Sequence, residues 1–207
     1  MLQKSSVLGD LDKNFKIIEK SFKKCVSNGC DFFLTTELFL TGYPPQDLLL
    51  RNDFLEKVQF YKKKIKELTK NKSSILLLNI PEKTNNKVFN SLFLFKNGSI
   101  IFKKNKSVLP NYGVFDEKRY FHSHKTNEPD FTYKNKKIRF LICEEMWSEK
   151  LMINSNKKID YIVCINASPY EINKYNERKK IVARNAKLFK SNVIYINYVG
   201  CQDDLIY

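Results

Sequence analysis

Short apolar runs alternate with amphipathic stretches along this chain, and this alternation restricts the folds that the chain can adopt. Runs rich in Ile, Leu, Val and Phe predict buried strands at residues 31–36, 74–80, 138–143, 161–165 and 193–198. Apolar residues at helical spacing predict helices over residues 15–26, 53–68 and about 176–190. Predicted hairpins lie at residues 88–104 and 132–143. The pattern indicates an α/β fold, a mixed sandwich in which helices cover the outer faces of the sheets.

The length and composition favour one domain without a membrane segment. With 207 residues and 43% hydrophobic content, the chain can bury one substantial core, so we expect residues 1–207 to form one domain or a piece of one. No apolar run is long enough to cross a bilayer, and the first residues lack the layout of a signal peptide. We therefore expect a cytoplasmic protein with no membrane partner.

The cysteines indicate neither a disulfide framework nor a metal site. They are odd in number, and no paired Cys-x-x-Cys pattern occurs among Cys25, Cys30, Cys143, Cys164 and Cys201. We therefore expect reduced thiols, as in a reducing compartment, and no bound metal.

The formal net charge of +15 invites a nucleic-acid interpretation, because clustered Lys and Arg release counterions from phosphates. The distribution of the charge argues against this interpretation. The 37 basic residues are spread along nearly the whole chain, without an aromatic-basic motif or a helix-turn-helix pattern. We expect the charge to form a solvated surface, with no nucleic-acid partner.

Cys143 is the first candidate for chemistry. It follows the predicted strand at 138–142, so a nucleophilic thiol could stand on a rigid element, with the backbone N–H of Glu144 free to hold an oxyanion. A small residue at the end of a core strand is more often a packing residue. The local sequence leaves both interpretations open.

Glu37 and Lys106 are candidates for a base and a cation beside such a nucleophile. Glu37 follows the apolar run at 31–36, where partial desolvation suits a general base, although a simply solvated Glu would also fit. Lys106 precedes an unusually aromatic loop. A cation there could hold Cys143 as a thiolate and stabilise developing negative charge. Spacing alone does not single out Lys106 among the many lysines.

The two histidines offer a weaker alternative. His122 and His124 lie in the polar loop sequence FHSHKTNEPD, and their spacing is a poor match for a fixed Cys–His pair. A Cys–His mechanism is therefore weakly supported, and we expect a solvated loop.

At these candidate residues the chain resembles the nitrilase, or carbon–nitrogen hydrolase, superfamily, whose catalytic triad is Glu-Lys-Cys. More narrowly, it resembles the glutamine amidohydrolase domain of the glutamine-dependent NAD+ synthetases. The resemblance rests on TELFLTGYPPQDLL (36–49), KSVLPNYGVFDEKRYF (106–121), LICEEMW (141–147), INASPYEINKYNERK (165–179) and INYVGCQDDLIY (196–207). The strings TGYPPQDLL and VGCQDDL are specific to the synthetases, and the match covers nearly the whole chain.

The resemblance implies an activity and a set of site residues. Glu37 would be the general base and Lys106 the cationic stabiliser. Cys143 would attack the side-chain amide of L-glutamine and form a thioester that water hydrolyses, with the backbone N–H of Glu144 on the oxyanion. The family's glutamine-binding positions fall on Tyr112, Ser168 and Lys174, with further walls at Tyr43, Glu117 and Trp147.

The resemblance also implies a fold, cofactors and partners. The fold would be a nitrilase-like α-β-β-α sandwich, truncated at the C-terminus and clipped in its first strand. Residues 1–207 would be an incomplete carbon–nitrogen hydrolase domain that lacks the ATP-dependent synthetase domain. ATP, Mg and deamido-NAD+ would bind only in that second domain, normally on the same chain, so no cofactor is expected here. The complete protein would be a homo-oligomer.

Two other hypotheses remain open at this point. The chain could be a free-standing carbon–nitrogen hydrolase that acts on another small amide. It could also be a catalytically silent interaction module that keeps the family fold. The intact Glu37, Lys106 and Cys143 argue against a silent module, whereas the apparent truncation keeps it open.

Overall fold

The computed structural model describes residues 1–124, 130–148 and 158–207, in which two four-stranded sheets stack face to face. The first sheet consists of β1 (Phe32–Leu34), β2 (Ile75–Thr84), β3 (Lys87–Lys96) and β4 (Ser99–Asn105), in that spatial order. The second sheet consists of β5 (Phe131–Tyr133), β6 (Lys136–Ile142), β7 (Tyr161–Asn166) and β8 (Asn192–Asn197), also in that order.

Helices cover both outer faces of this pair of sheets. The helices are α1 (Leu11–Ser27), α2 (Asn52–Leu68), the short α3 (Glu117–Tyr120) and α4 (Lys174–Phe189). Helix α1 begins at Asp10, whose carboxylate accepts a hydrogen bond from the Lys13 N–H at 3.0 Å and so caps the first turn. Among the described residues, no helix combines the length and apolar character needed to cross a membrane.

Side chains alternate between the two faces of each strand and so divide the core into layers. In β2, Leu78 packs against α1 and α2, whereas its neighbour Leu77 packs against the second sheet. In β6, Phe140 faces the first sheet and Leu141 packs beneath α4. The layers therefore follow in the order helix, sheet, sheet, helix, and this confirms the predicted α-β-β-α sandwich.

Strand directions bring several strand ends to one side of the molecule. Strand β1 is parallel to β2, β3 is antiparallel to β2, and β4 is antiparallel to β3. Strands β1 and β4 therefore run in the same direction along opposite edges of the first sheet. Strands β6, β7 and β8 are mutually parallel in the second sheet. The carboxyl ends of parallel strands are the usual position for functional loops in α/β proteins.

The predicted strands and helices are confirmed, with ends shifted by a few residues. The pattern missed elements too short to show a period: the 3-10 helices Gln46–Leu50 and Cys143–Met146, α3, and the hairpin of β9 (Cys201–Gln202) and β10 (Leu205–Ile206). Residues 1–6 are not assigned to a strand, but the Leu2 N–H donates to the Leu34 oxygen at 2.8 Å, beside β1. This contact places the first residues at the edge of the first sheet.

Gly42 fixes the loop that follows β1 against the start of the chain. Its φ is +75°, and a Cβ at this position would stand 2.6 Å from Leu8 Cα and 2.9 Å from Leu8 N. The Gly9 N–H also donates to the Thr41 oxygen at 2.8 Å. Because the close neighbours are backbone atoms, the chain cannot relax around an added methyl group by changing a rotamer.

We expect Gly42→Ala to lower the free energy of unfolding by about 4 kcal/mol, because left-handed strain adds to the backbone overlap. Gly29→Ala is the matched control, because its φ of +68° is similar but nothing lies within 4 Å of an added Cβ. The control should lose about 1 kcal/mol from strain alone. Urea denaturation followed by circular dichroism measures both losses. Equal losses would show that the loop is not packed against Leu8.

Candidate active site

A buried cluster of opposite charges lies on the side of the first sheet where β1 and β4 both end. Lys106 follows β4, and its Nζ lies 2.8 Å from Glu37 Oε1 and 2.8 Å from Glu117 Oε1. The side chains of Lys106 and Glu37 are fully buried, and that of Glu117 is 6% exposed. Removal of one member of a buried ion pair typically costs about 3–5 kcal/mol, so the three side chains form one unit.

Hydrogen bonds from both sheets fix the Glu37 carboxylate. Asn90 Nδ2 on β3 donates to Oε1 at 2.9 Å, and the Ala167 N–H after β7 donates to Oε2 at 3.2 Å. The Asn90 side chain is itself held by Asn79 of β2, whose Nδ2 donates to Asn90 Oδ1 at 2.7 Å. Asn79 Oδ1 in turn accepts from the Leu38 N–H at 2.9 Å. The carboxylate therefore has a defined orientation, as a proton acceptor in catalysis requires.

The charges in this cluster shift the pKa values of its members. Burial opposes the charged form of Lys106, but the charges of Glu117 and Glu37 outweigh it and hold the pKa of Lys106 well above its ordinary range. Burial raises the pKa of Glu117 from 4.5 to about 7, against the charge of Lys106 and with the aid of the charge of Glu37. Glu117 is therefore the member that can retain a proton near neutral pH.

The two oxygens of Glu117 have different surroundings. Oε1 accepts hydrogen bonds from Lys106 Nζ at 2.8 Å and from the hydroxyl of the buried Tyr43 at 3.0 Å. Oε2 is buried and has no hydrogen-bond partner among the described residues. A cavity of about 300 Å3 borders Glu117 and Tyr43 on the side of Leu49 and Phe115. Oε2 is therefore the oxygen available to a proton.

Cys143 lies at the end of β6 as the first residue of the 3-10 helix Cys143–Met146. Its φ of +48° is uncommon for a residue with a side chain, and such strained positions cluster at active sites. Burial raises the pKa of the Cys143 thiol well above its ordinary value, and the charge of Glu37 raises it further, while Lys106 opposes both. The resting site therefore favours a neutral thiol.

This result differs from the sequence-based expectation that Lys106 would hold Cys143 as a thiolate. The Lys106 ammonium is already paired with Glu37 and Glu117, so its charge does not offset the cost of a buried thiolate. A thiol in this state needs a base that accepts its proton during attack. Glu37 is a suitable base, because its carboxylate is oriented and its charge acts on the thiol.

Tyr112 contacts Glu144, the residue that directly follows Cys143. The Tyr112 hydroxyl donates to Glu144 Oε2 at 2.9 Å, and the Tyr112 side chain is 56% exposed. Burial of the hydroxyl end raises the pKa of Tyr112, and the charges of Glu144 and Cys143 contribute to the rise. Tyr112 therefore lies near Cys143, at a position that incoming molecules can reach.

Ser168 follows β7 and is held in place by two neighbours. Arg178 of α4 donates from Nη2 to Ser168 Oγ at 2.8 Å and to the Ser168 carbonyl at 2.9 Å. The Ser168 N–H donates to Asn197 Oδ1 at 2.9 Å, and Asn197 Nδ2 donates back to the Ser168 carbonyl at 2.9 Å. Because Arg178 donates to Oγ, the hydroxyl proton remains free to point toward an acceptor.

Lys174 and Trp147 contact each other at the surface. Lys174 Nζ lies 5.2 Å from the centre of the Trp147 ring, in a cation–π arrangement. Lys174 also pairs with Glu171 at 3.5 Å and with Glu177 at 3.3 Å, which is longer than the 2.8 Å ion pairs of Lys106. Both carboxylates are more than half exposed. Exposed pairs of this kind are weak, so the ammonium can take an anionic ligand group as a new partner.

The sequence-predicted residues thus fall into a buried group and an outer group. The buried group comprises Glu37, Tyr43, Lys106, Glu117 and Cys143. The outer group comprises Tyr112, Glu144, Trp147 and Lys174, together with Ser168, which is itself buried.

The two histidines lie beside Phe89, and the His124 backbone N–H donates to the Lys106 carbonyl at 3.4 Å. The rings of His122 and His124 contact the Phe89 ring at 6.1 Å each. The following loop residues, 125–129, lie outside the described part of the chain. Within residues 1–124, 130–148 and 158–207, no three His, Cys, Asp or Glu side chains are arranged to hold a metal ion.

Sequence reasoning missed three polar side chains that support the site. Asn90 orients Glu37, Arg178 holds Ser168, and the fully buried Glu145 contacts the loop after Lys106. A signal existed for each of them. Asn90 interrupts an apolar strand, Arg178 is an Arg in a chain whose basic residues are mostly Lys, and Glu145 stands between a core strand and the apolar pair Met146 and Trp147.

Comparison with known protein families gives one consistent result. The family model described as carbon-nitrogen hydrolase matches residues 1–207. The glutamine-dependent NAD(+) synthetase of Synechocystis sp. is 33% identical over 100% of this chain, and that of Thermotoga maritima is 32% identical over 100%. The matched segments make up 40% and 36% of those proteins, so this chain spans well under half of their length.

Solved structures give the same picture. The glutamine-dependent NAD+ synthetase of Acinetobacter baumannii, determined with ADP, superposes with a TM-score of 0.89 at 33% identity, over 99% of this chain and 38% of that one. An amidase from Nesterenkonia sp. AN1, in which acrylamide has added to the active site cysteine, shares the fold, with a TM-score of 0.84 at 15% identity over 99% of this chain and 80% of that one. With a family model that matches from residue 1 to residue 207, the chain belongs to the carbon–nitrogen hydrolase family.

Proposed function

We propose that this chain hydrolyses the side-chain amide of L-glutamine, with Cys143 as nucleophile, Glu37 as general base and Lys106 as cationic stabiliser. The relatives that match it are named as glutamine-dependent NAD(+) synthetases. The observation that carries the proposal is the fully buried Lys106–Glu37 contact of 2.8 Å, whose charges both act on the buried Cys143. A buried ion pair contributes little to the stability of the fold, whereas buried charged groups with shifted pKa values are common at catalytic sites. The Lys106–Glu37 pair is therefore better explained by catalysis than by stability.

The reaction begins when the sulfur of Cys143 attacks the amide carbon of the substrate. Glu37 takes the thiol proton as the S–C bond forms, and the electrons of the C=O double bond move to the oxygen. The resulting oxyanion is stabilised by the Lys106 ammonium and by the backbone N–H of Glu144. The N–H groups in the first turn of a helix have no partner within that helix, which suits Glu144 for this task.

The second half of the reaction releases ammonia and then restores the thiol. The oxyanion re-forms the carbonyl, the C–N bond breaks, and Glu37 returns its proton to the leaving nitrogen. The thioester on Cys143 then reacts with water, from which Glu37 takes a proton, and the C–S bond breaks to give glutamate. Protonation of the sulfur by Glu37 completes the cycle, so glutamine and water give glutamate and ammonia.

The outer group suits the amino-acid end of glutamine. Lys174 can pair with the α-carboxylate, and the Tyr112 and Ser168 hydroxyls can bind polar atoms of the same end. Trp147 stands as a wall beside Lys174, and Tyr43 supports Glu117 from behind. The α-carboxylate of glutamine needs a partner once water is excluded, and Lys174 provides a charged one.

In the complete protein the ammonia would be used for the ATP-dependent amidation of deamido-NAD+ to NAD+. We place ATP, Mg and deamido-NAD+ in a synthetase domain on the same polypeptide, and no cofactor in residues 1–207. We also propose a cytoplasmic homo-oligomer. Support for this larger activity comes from the names of the relatives and from the share of their length, 40% or less, that this chain matches.

Cys143→Ala should reduce glutamine-dependent ammonia release by the purified chain at least about a thousandfold, because no other group can form the thioester. Cys201→Ala, which removes an exposed cysteine on β9, should keep wild-type activity. A coupled ammonia assay measures all three proteins, with other small amides offered beside glutamine. Activity in Cys143→Ala, or a folded wild-type chain that prefers another amide, would contradict the proposal.

Glu37→Gln should lower kcat for glutamine by about 10²–10⁴-fold, because the isosteric amide keeps the shape of Glu37 but cannot accept the thiol proton. The KM should change little, because the outer group that binds the amino-acid end is untouched. Steady-state kinetics, with circular dichroism to confirm folding, measure the effect. A kcat near that of the wild type would exclude Glu37 as the base.

The raised pKa of Glu117 predicts a specific pH dependence of stability. Between its ordinary pKa of 4.5 and its folded pKa of about 7, the folded protein holds a proton that the unfolded chain has released. The free energy of unfolding contributed by Glu117 therefore falls as the pH rises through this window. Relative to Glu117→Gln, which cannot titrate, the wild type should lose on the order of 3 kcal/mol across it. Urea denaturation at several pH values measures the difference, and a difference of the opposite sign would mean that Glu117 is stabilised as a carboxylate.

A further inference from the structure

Glu145 is a fully buried carboxylate that the proposed reaction does not use. Its Oε1 accepts hydrogen bonds from the Ser107 N–H at 2.8 Å and from the Ser107 hydroxyl at 2.7 Å. Its Oε2 accepts from the Ile142 N–H at 2.8 Å and lies 3.1 Å from Lys104 Nζ. Four donors, one of them charged, therefore satisfy a side chain with no exposed surface.

The partners of Glu145 are the chain neighbours of two site residues. Ser107 directly follows Lys106, and Ile142 directly precedes Cys143. Ser107 extends from β4 of the first sheet, whereas Ile142 ends β6 of the second sheet. One oxygen of the carboxylate thus binds the backbone beside the cation, and the other binds the backbone beside the thiol.

We infer that Glu145 is a positioning residue, which holds the Lys106 ammonium and the Cys143 thiol at the separation that the reaction requires. The inference rests on the proposed function of the site. It deepens that function, because it explains how groups carried by two different sheets keep one geometry.

The local geometry of Cys143 supports this inference. A residue with a φ of +48° keeps that conformation only when its surroundings determine it, and Glu145 lies in the same 3-10 helix. The carboxylate receives the Ile142 N–H and so closes the turn on which Cys143 stands. The Lys106 ammonium is fully buried between Glu37 and Glu117, and it can reach both carboxylates only if the backbone that Ser107 anchors keeps its position. A displacement of about 1 Å at a reacting group can cost on the order of a hundredfold in rate.

Glu145→Gln tests the inference with a minimal change of shape. The amide replaces one oxygen by an NH2 group, which then faces two hydrogen-bond donors instead of accepting from them. The side chain therefore loses its hydrogen bonds either to Ser107 or to Ile142 and Lys104. We expect kcat for glutamine to fall about 10–100-fold, while KM stays within about threefold, because no group that binds the amino-acid end is altered.

A second readout does not depend on the substrate. The rate at which iodoacetamide alkylates Cys143, measured by mass spectrometry of the Cys143 peptide, should fall in Glu145→Gln. The pH at which this alkylation reaches half of its maximal rate should rise, because a displaced Lys106 ammonium stabilises the Cys143 thiolate less.

Glu82→Gln is the matched control. Glu82 is a partly buried carboxylate on β2 that lies 2.9 Å from Lys62 Nζ and accepts a hydrogen bond from Gln59 at 3.0 Å. Its substitution should lower the melting temperature without changing kcat or the alkylation of Cys143. If Glu145→Gln behaved in the same way, Glu145 would be merely structural and the inference would fail. A wild-type chain that releases no ammonia, but whose Cys143 alkylation depends on Glu145, would reject the proposed substrate and keep the positioning role.

Ser107→Ala provides a milder test if Glu145→Gln does not fold. It removes the hydroxyl donor at 2.7 Å and leaves the backbone donor in place. We expect a loss of about threefold or more in kcat and an upward shift of the alkylation profile in the same direction. Wild-type kinetics and alkylation in Ser107→Ala would overturn the inference.

Discussion

The buried ammonium of Lys106 is the interaction on which the site depends. It contacts Glu37 and Glu117 at 2.8 Å each, in a region that water does not reach. A buried cation requires one counter-charge, and two carboxylates exceed that requirement by one. Burial raises the pKa of Glu117 to about 7, and the charge of Glu37 adds to the rise, so the cluster can be close to neutral at physiological pH. Burial raises the pKa of the Cys143 thiol, the charge of Glu37 raises it further, and the thiol therefore stays protonated at rest.

The stacked sheets bring these charges together from distant parts of the chain. Strands β1 and β4 occupy opposite edges of the first sheet, yet they run in the same direction and end on the same side. Asn79 and Asn90, on the two strands between them, form a chain of hydrogen bonds from the Leu38 N–H to the Glu37 carboxylate. The second sheet contributes Cys143 after β6 and the Ala167 N–H after β7. The site therefore depends on a fixed position of the two sheets relative to each other.

The layers and part of the site could be predicted from the sequence, because some of their features are local. Features that depend on contacts between distant residues could not be predicted in this way. Leu77 and Leu78 belong to an apolar run whose burial does not depend on its partners, so the strand can be predicted locally. Glu37 and Cys143 follow such runs and are conspicuous there. Lys106 looks like the many other lysines in the sequence, because its ion-pair partner Glu37 lies 69 positions away along the chain. Glu145 and Ser107 meet across 38 positions, and no local pattern contains that contact.

The arrangement allows charge to move during the proposed reaction without a change in the net charge of the buried volume. At rest, with Glu117 protonated, the Lys106 ammonium balances the Glu37 carboxylate. When Glu37 accepts the thiol proton, the negative charge passes to the substrate oxygen, and Lys106 balances the oxyanion instead. A second ionised carboxylate would repel that oxyanion throughout, so the desolvation that raises the pKa of Glu117 also favours the transition state. In the proposed reaction, burial of Glu117 would therefore serve the chemistry as well as the packing.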